Sequence, residues 1–185
     1  MKKITFVILT SILSILTSCV DYNVKKDGVY YQDWNEARGK SERLIPNADP
    51  KTFVTLDDNL YGKDKNNVYY KGNAIQGADP KSFQTLKDGY ALDKYRAFYY
   101  GDSIESSSSK DFKILDGYFS SDNKDVYYRT KPLKVSSKKN FKFLSQNSLN
   151  ERWSTDGKHY WFNNFKVPSN EYDQIELLDE DAGFS

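Results

Sequence analysis

The sequence predicts a mainly β protein. We expect a tandem array of about five units of roughly 30 residues, each a short antiparallel three-stranded meander plus one helical turn. Three observations predict this. An aromatic phrase recurs as Val29-Tyr30-Tyr31, Val68-Tyr69-Tyr70, Phe98-Tyr99-Tyr100, Val126-Tyr127-Tyr128 and His159-Tyr160-Trp161. Ahead of each phrase stands an aspartate, at Asp27, Asp64, Asp93, Asp122 and Asp156, three residues after a large apolar residue at Val24, Tyr61, Tyr90, Phe119 and Trp153. Behind each phrase come a single apolar residue (Ile45, Ile75, Ile104, Leu133, Phe165), then a ring (Phe53, Phe83, Phe112, Phe141, Tyr172), then Leu56, Leu86, Leu115, Leu144 or Ile175.

Each position has a physical reading, taken in chain order. The aspartate opens a turn, because its carboxylate accepts nearby backbone N–H groups. Asp27-Gly28 and Asp156-Gly157 are tight hairpin signals. The segment before the aspartate and the aromatic phrase therefore form a hairpin. Strand alternation sends Val68 and Tyr70 to one face and Tyr69 to the other. A second turn such as Lys71-Gly72-Asn73 leads to a short third strand near Ile75. Asp49-Pro50 and Asp79-Pro80 then read as a helix cap followed by a first helical residue, with Ser108 and Ser137 in the matching places of later copies. The turn swings Phe53 or Phe83 inward, and the following leucine starts the return. Such a unit is too small to bury its own face, so neighbours must complete the core. The units read as 22–56, 57–86, 87–115, 116–144 and 145–178, followed by an acidic tail at 179–185.

Composition agrees. Hydrophobic residues are 38% of the chain but aromatics are 16%, so apolar area is concentrated in rings that still build a core. Fifteen tyrosines against one methionine favour strands. With 27 basic and 26 acidic residues interspersed, there is no electrostatic footprint for nucleic acid.

Residues 1–18 read as a secretory signal. Lys2 and Lys3 form a positive head, and Ile4 to Leu16 is apolar apart from Thr5, Thr10, Ser11 and Ser14, shorter than the ~20 apolar residues of a membrane span. It meets Leu16-Thr17-Ser18-Cys19, which looks like a bacterial lipobox, and Cys19 is the chain's single cysteine. The expectation is acylation at Cys19, a short tether over 19–21, and a domain held close to the membrane, since multiple acyl chains anchor stably. Val20 lacks the aspartate associated with inner-membrane retention. The expected address is the cell envelope: the outer membrane of a Gram-negative cell, otherwise the outer face of the cell membrane. With Cys19 used for the anchor, no internal disulfide or thiol nucleophile remains.

Asp64-Lys65-Asn66-Asn67-Val68-Tyr69-Tyr70 and Ala78-Asp79-Pro80-Lys81-Ser82-Phe83 carry a resemblance to the DKNYY family of bacterial repeat proteins, common among secreted and lipid-anchored envelope proteins. It covers Tyr22 to about Leu178. The third copy departs at Asp93-Lys94-Tyr95-Arg96-Ala97, and the fifth at His159 and Trp161. The resemblance implies fold and address, and no activity, cofactor or site residue.

No catalytic residues, cofactor or metal site are read here. His159 lacks a nucleophile motif, and no turn has the ligand spacing of a calcium loop. Scattered carboxylates offer no placed pair for glycoside hydrolysis. Two candidate surfaces remain. One is a ladder of middle tyrosines, Tyr30, Tyr69, Tyr99, Tyr127 and Tyr160; the competing reading makes these rings packing units. The other is the insertion Gln32 to Leu44, with Trp34, Arg38 and Arg43, read as a loop on a regular scaffold. The functional expectation is a non-enzymatic, membrane-anchored envelope lipoprotein that binds a protein or peptide, in one version an immunity or inhibitor lipoprotein. The alternative is a glycan or peptidoglycan binder using exposed tyrosines.

Overall fold

The computed structural model describes residues 22–175, apart from residues 38, 57–58 and 147–151. The segment expected to be a signal, Cys19, Arg38 and the acidic tail at 179–185 lie outside the described residues.

Five antiparallel sheets follow one another along the chain. The first holds β1 (Tyr22–Lys25), β2 (Gly28–Asn35) and β3 (Gly39–Leu44). The second holds β4 (Val54–Thr55), β5 (Tyr61–Lys63), β6 (Val68–Tyr70) and β7 (Asn73–Ala74). The third runs β8 (Gln84–Thr85), β9 (Tyr90–Leu92), β10 (Ala97–Tyr99), β11 (Asp102–Ser103), and the fourth β12 (Lys113–Ile114), β13 (Phe119–Ser121), β14 (Val126–Tyr128), β15 (Lys131–Pro132). The fifth is β16 (Lys142–Gln146), β17 (Arg152–Thr155), β18 (Tyr160–Phe162) and β19 (Phe165–Lys166). Every sheet is a simple meander in chain order.

The mainly β tandem architecture matches the sequence reading, with two differences. Sheets two to five have four strands, not three. The extra strand follows the inward ring: two residues in the second to fourth sheets, as in Val54–Thr55 after Phe53 and Gln84–Thr85 after Phe83, and five residues, Lys142–Gln146, in the fifth. The sheet boundary therefore falls just after the ring, a few residues before the boundaries at 56, 86, 115 and 144. Two residues carry no alternation pattern, and they are extended only because the next hairpin offers its edge.

The helical turn is also looser than expected. Thr52 and Phe53 N–H both donate to the Asp49 carbonyl (3.2 and 3.0 Å), and Ser82 and Phe83 repeat this on Asp79. This is a single turn, capped by the Asp49 carboxylate through the Lys51 N–H at 3.0 Å. The fifth unit lengthens it to a 3-10 segment, Ser169–Gln174. A further short 3-10 stretch, Lys87–Gly89, precedes β9, where none was expected.

Backbone hydrogen bonds settle which residues are equivalent. Ile45, Ile75, Ile104, Leu133 and Val167 each donate N–H to the carbonyl of the first residue of the phrase: Val29, Val68, Ala97, Val126 and Tyr160. The third phrase is thus Ala97-Phe98-Tyr99 and the fifth Tyr160-Trp161-Phe162. The middle rings are Tyr30, Tyr69, Phe98, Tyr127 and Trp161, so Tyr99 and Tyr160 are not middle tyrosines, and Val167 takes the place assigned to Phe165. In the first unit Tyr22, not Val24, stands opposite the last residue of the phrase, pairing with Tyr31 across a tighter turn at Lys26-Asp27, while Val24 pairs with Val29. Val24 is exposed. The register departs from the sequence reading where turn length changes, because the backbone counts residues from the turn and not from the repeated tyrosines.

Four apolar clusters lie between sheets, not within them. Tyr22, Val29, Tyr31, Ile45 and Phe53 close around Tyr69 of the second unit. Tyr61, Val68 and Phe83 close around Ala91 and Phe98 of the third. Tyr127 and Trp161 play the same part in the next two joints. Each unit thus inserts its middle ring into the face of the unit before it.

Candidate interaction surfaces

The repeated aspartate is the first group to assign. Asp64 is buried, and one carboxylate oxygen accepts N–H from Asn66 and Asn67 of its own turn, both at 2.7 Å. The other accepts the Asp49 N–H at 2.9 Å and the Tyr69 hydroxyl at 3.0 Å, both inside the joint. Asp93 takes the Asp79 N–H (3.1 Å), Asp122 the Ser108 N–H, and Asp156 the Ser136 N–H (2.6 Å). Burial alone raises the Asp64 pKa, but these hydrogen bonds together hold it below the usual carboxylate range. The same balance brings Asp156 down to about 2. These carboxylates are committed to closing turns and joining neighbours.

The rings follow suit. Tyr69 and Tyr127 are buried, each hydroxyl donating to the aspartate of its own unit, and burial followed by that bond pushes the Tyr69 phenol up to about 12. Tyr99 is also buried, donating to the Gly117 carbonyl at 3.1 Å. Tyr30 and Tyr160 are half-buried. Of the two readings, the exposed ladder does not form and Tyr69 and Tyr127 are packing units, because the middle position points into the preceding joint. The tyrosines on the strand before the phrase do further work: Tyr22 donates to the Leu60 carbonyl (3.0 Å) and accepts the Gly72 N–H (3.0 Å), and Tyr61 does the same with Gly89 (3.2 Å) and Gly101 (2.7 Å).

Three joint features escaped the sequence reading. The residue after the ring on the strand before the phrase is always small beyond the first unit: Gly62, Ala91, Ser120 and Ser154. It lies across from the middle ring. A Cβ on Gly62 would come within 2.4 Å of Phe53, so the preceding unit's ring sits directly on this backbone. The column of small residues was visible and could have been found. Lys65 pairs with Asp49 (3.1 Å) and Lys94 with Asp79 (3.6 Å), linking the turn lysine to the neighbouring cap. The tyrosine hydroxyl bridges left no local signal, since their partners are main-chain groups 28 to 50 residues away.

His159 sits where a catalytic reading would look. Its Nδ1 lies 3.2 Å from Asp156 Oδ2 and 3.3 Å from Ser136 Oγ. Both partners meet the same ring nitrogen, whereas proton relay needs the carboxylate and the nucleophile on opposite nitrogens. Among the described residues no group of three or more His, Cys, Asp or Glu is placed to hold a metal ion.

The insertion from Gln32 to Leu44 is not a loop. It is an antiparallel ribbon, with Trp34 opposite Lys40 and Gln32 opposite Glu42. Arg43 pairs with Asp33 at 3.0 Å and reaches across to the Lys71 and Gly72 carbonyls of the second unit, so it anchors the ribbon. Trp34 is 67% exposed on that anchored ribbon.

Two further surfaces are concave. A groove of about 410 Å³ at the end of the fifth unit is lined by Trp153, Phe162, Phe165, Val167 and Ile175, among others. A smaller one of about 230 Å³ lies between the third and fourth units, lined by Asp88, Tyr99, Tyr100, Asp116, Gly117, Tyr118 and Arg152. Arg152 pairs with Asp116 at 2.7 Å while its Nη1 is buried without a hydrogen-bond partner.

No curated protein and no solved structure matches the chain. A family model for the DKNYY family matches residues 22–165, which span all five sheets, and the chain belongs to the DKNYY family.

Proposed function

We propose that this chain is a non-enzymatic, membrane-anchored cell-envelope lipoprotein that works as a protein- or peptide-interaction scaffold, with an immunity or inhibitor role as one version. The anchor rests on the Leu16-Thr17-Ser18-Cys19 motif behind an apolar leader. The observation that carries the interaction reading is the ribbon: Trp34 is largely exposed on a two-stranded arm that Arg43 fixes to the second unit. An indole presented on an anchored arm offers a large apolar face, and tryptophan is enriched among residues that dominate interface energy. The test is capture from envelope extract with the mature chain. Trp34→Ala should lose the captured partner while thermal stability stays unchanged. Equal capture by both forms sinks this reading.

A glycan reading moves from the middle tyrosines to the groove bounded by Tyr100, Tyr118, Asp88 and Arg152, where half-exposed rings meet charged side chains. Binding of cell-wall fragments that Tyr118→Ala abolishes would favour it.

A further inference from the structure

Each joint has a receiving face and an inserted knob. The receiving face is a ring on the strand before the phrase, paired with the last residue of the phrase, as in Tyr22–Tyr31 and Tyr61–Tyr70. The knob is the next unit's middle ring. In the fifth unit the pair is Trp153–Phe162, with ring centroids 5.4 Å apart, and no other ring among the described residues stacks on either.

The next position across the sheet sharpens the contrast. It is Arg43, Asn73, Asp102 or Lys131 in the first four units, but Phe165 in the fifth, 61% exposed. This face is more apolar than the four that are already covered.

Building on the scaffold reading above, we propose that the groove at the end of the fifth unit receives the aromatic knob of a β-hairpin from another chain, one with this repeat's chemistry: a central ring paired across from a small residue. Continuity with the internal joints carries this, since the same face takes the same kind of knob four times within the chain. A second copy's first unit is a poor occupant. Asn23 stands where glycine, alanine or serine must lie, and it is tied to Glu42 at 2.9 Å.

The probe is a cyclised peptide of residues 60–75, which pairs Gly62 with Tyr69. It is titrated into the full mature chain in detergent, following tryptophan fluorescence and heat. The expected result is saturable one-to-one binding, weakened at least about tenfold by Phe165→Ser on the protein and abolished by Tyr69→Ser in the peptide. Phe165 is exposed, so its removal leaves the fold intact. No saturable binding, or equal binding by the Tyr69→Ser peptide, overturns the proposal. Binding that emerges only after deletion of residues 176–185 assigns the groove to the chain's own end. Self-association lost on Phe165→Ser assigns it to a second copy. Either result also overturns it. Capture through Trp34 is a separate readout, so failure here leaves the ribbon reading standing.

Discussion

At the N-terminal end of the array, the outward face of the first sheet is polar. Glu42 accepts hydrogen bonds from Asn23 and Gln32 and pairs with Lys25, whose ammonium lies 4.3 Å from the centre of the Tyr30 ring. At the C-terminal end, the outward face of the fifth sheet carries Trp153, Phe162 and Phe165. Both ends meet the difficulty of any stacked array, that a terminal unit has one neighbour too few. The first unit answers by replacing the small residue with Asn23 and surrounding Tyr30 with charge. The fifth keeps its small residue, Ser154, on the inner side and adds a phenylalanine outside. Capping is therefore encoded position by position, in the same columns that encode stacking.

Substitution at the small-residue column should break this contrast most visibly. Gly62→Leu drives a side chain into Phe53 and should cost about 3 kcal/mol or more in denaturant unfolding. Asn23→Leu, at the matching position of the open end, should leave the midpoint nearly unchanged. Equal losses would show that the first unit is not a cap.

The bridging hydroxyls make a finer comparison. Tyr22→Phe and Tyr61→Phe should each lose about 1 kcal/mol, since a main-chain carbonyl and N–H lose their partner. Tyr90 occupies the same column, but its buried hydroxyl bridges no main-chain groups and meets only the Ser120 hydroxyl. Tyr90→Phe should be neutral or slightly stabilising, and a loss matching the other two would refute the bridge as their source.

Acid gives the next test. Asp156 sits at about 2 when folded, below its unfolded value near ~3.9. A depressed carboxylate contributes stability that is complete above the unfolded value and is lost as pH falls through the folded one. Stability should therefore decline between about pH 4 and pH 2. Asp156→Asn should be less stable at neutral pH and should flatten that decline. An unchanged acid profile would remove the clasp as its cause.

The smallest effect on stability belongs to the exposed rings. Trp34→Ala and Phe165→Ser should not move the melting temperature, and their phenotypes should be confined to binding.

Much of this was legible in the sequence, and the limits are physical. Tyr61, Asp64, Phe83 and the paired rings announced a β repeat whose neighbours share a core, because a repeated interface must reuse residue types in register. The burial of Tyr69 and Tyr127 was one of two open readings, since alternation names two faces and not which is covered. The register of Phe98 and Trp161 was misjudged because turn length, not residue identity, sets the count. The ribbon at Trp34 looked like a loop, because Glu36, Arg38 and Gly39 interrupt any alternation. Among the surfaces, Trp34 was named in advance, while the groove around Phe165 was missed, since its apolar character stands out only beside Arg43, Asn73, Asp102 and Lys131.

The two oxygens of each turn aspartate have a consequence for how such a protein lengthens. One oxygen folds the module locally and the other holds the linker N–H of the module before it, and that linker N–H is itself part of the copied segment. A duplicated stretch therefore arrives with both halves of its weld, and the chain can gain copies by recombination without evolving a new contact.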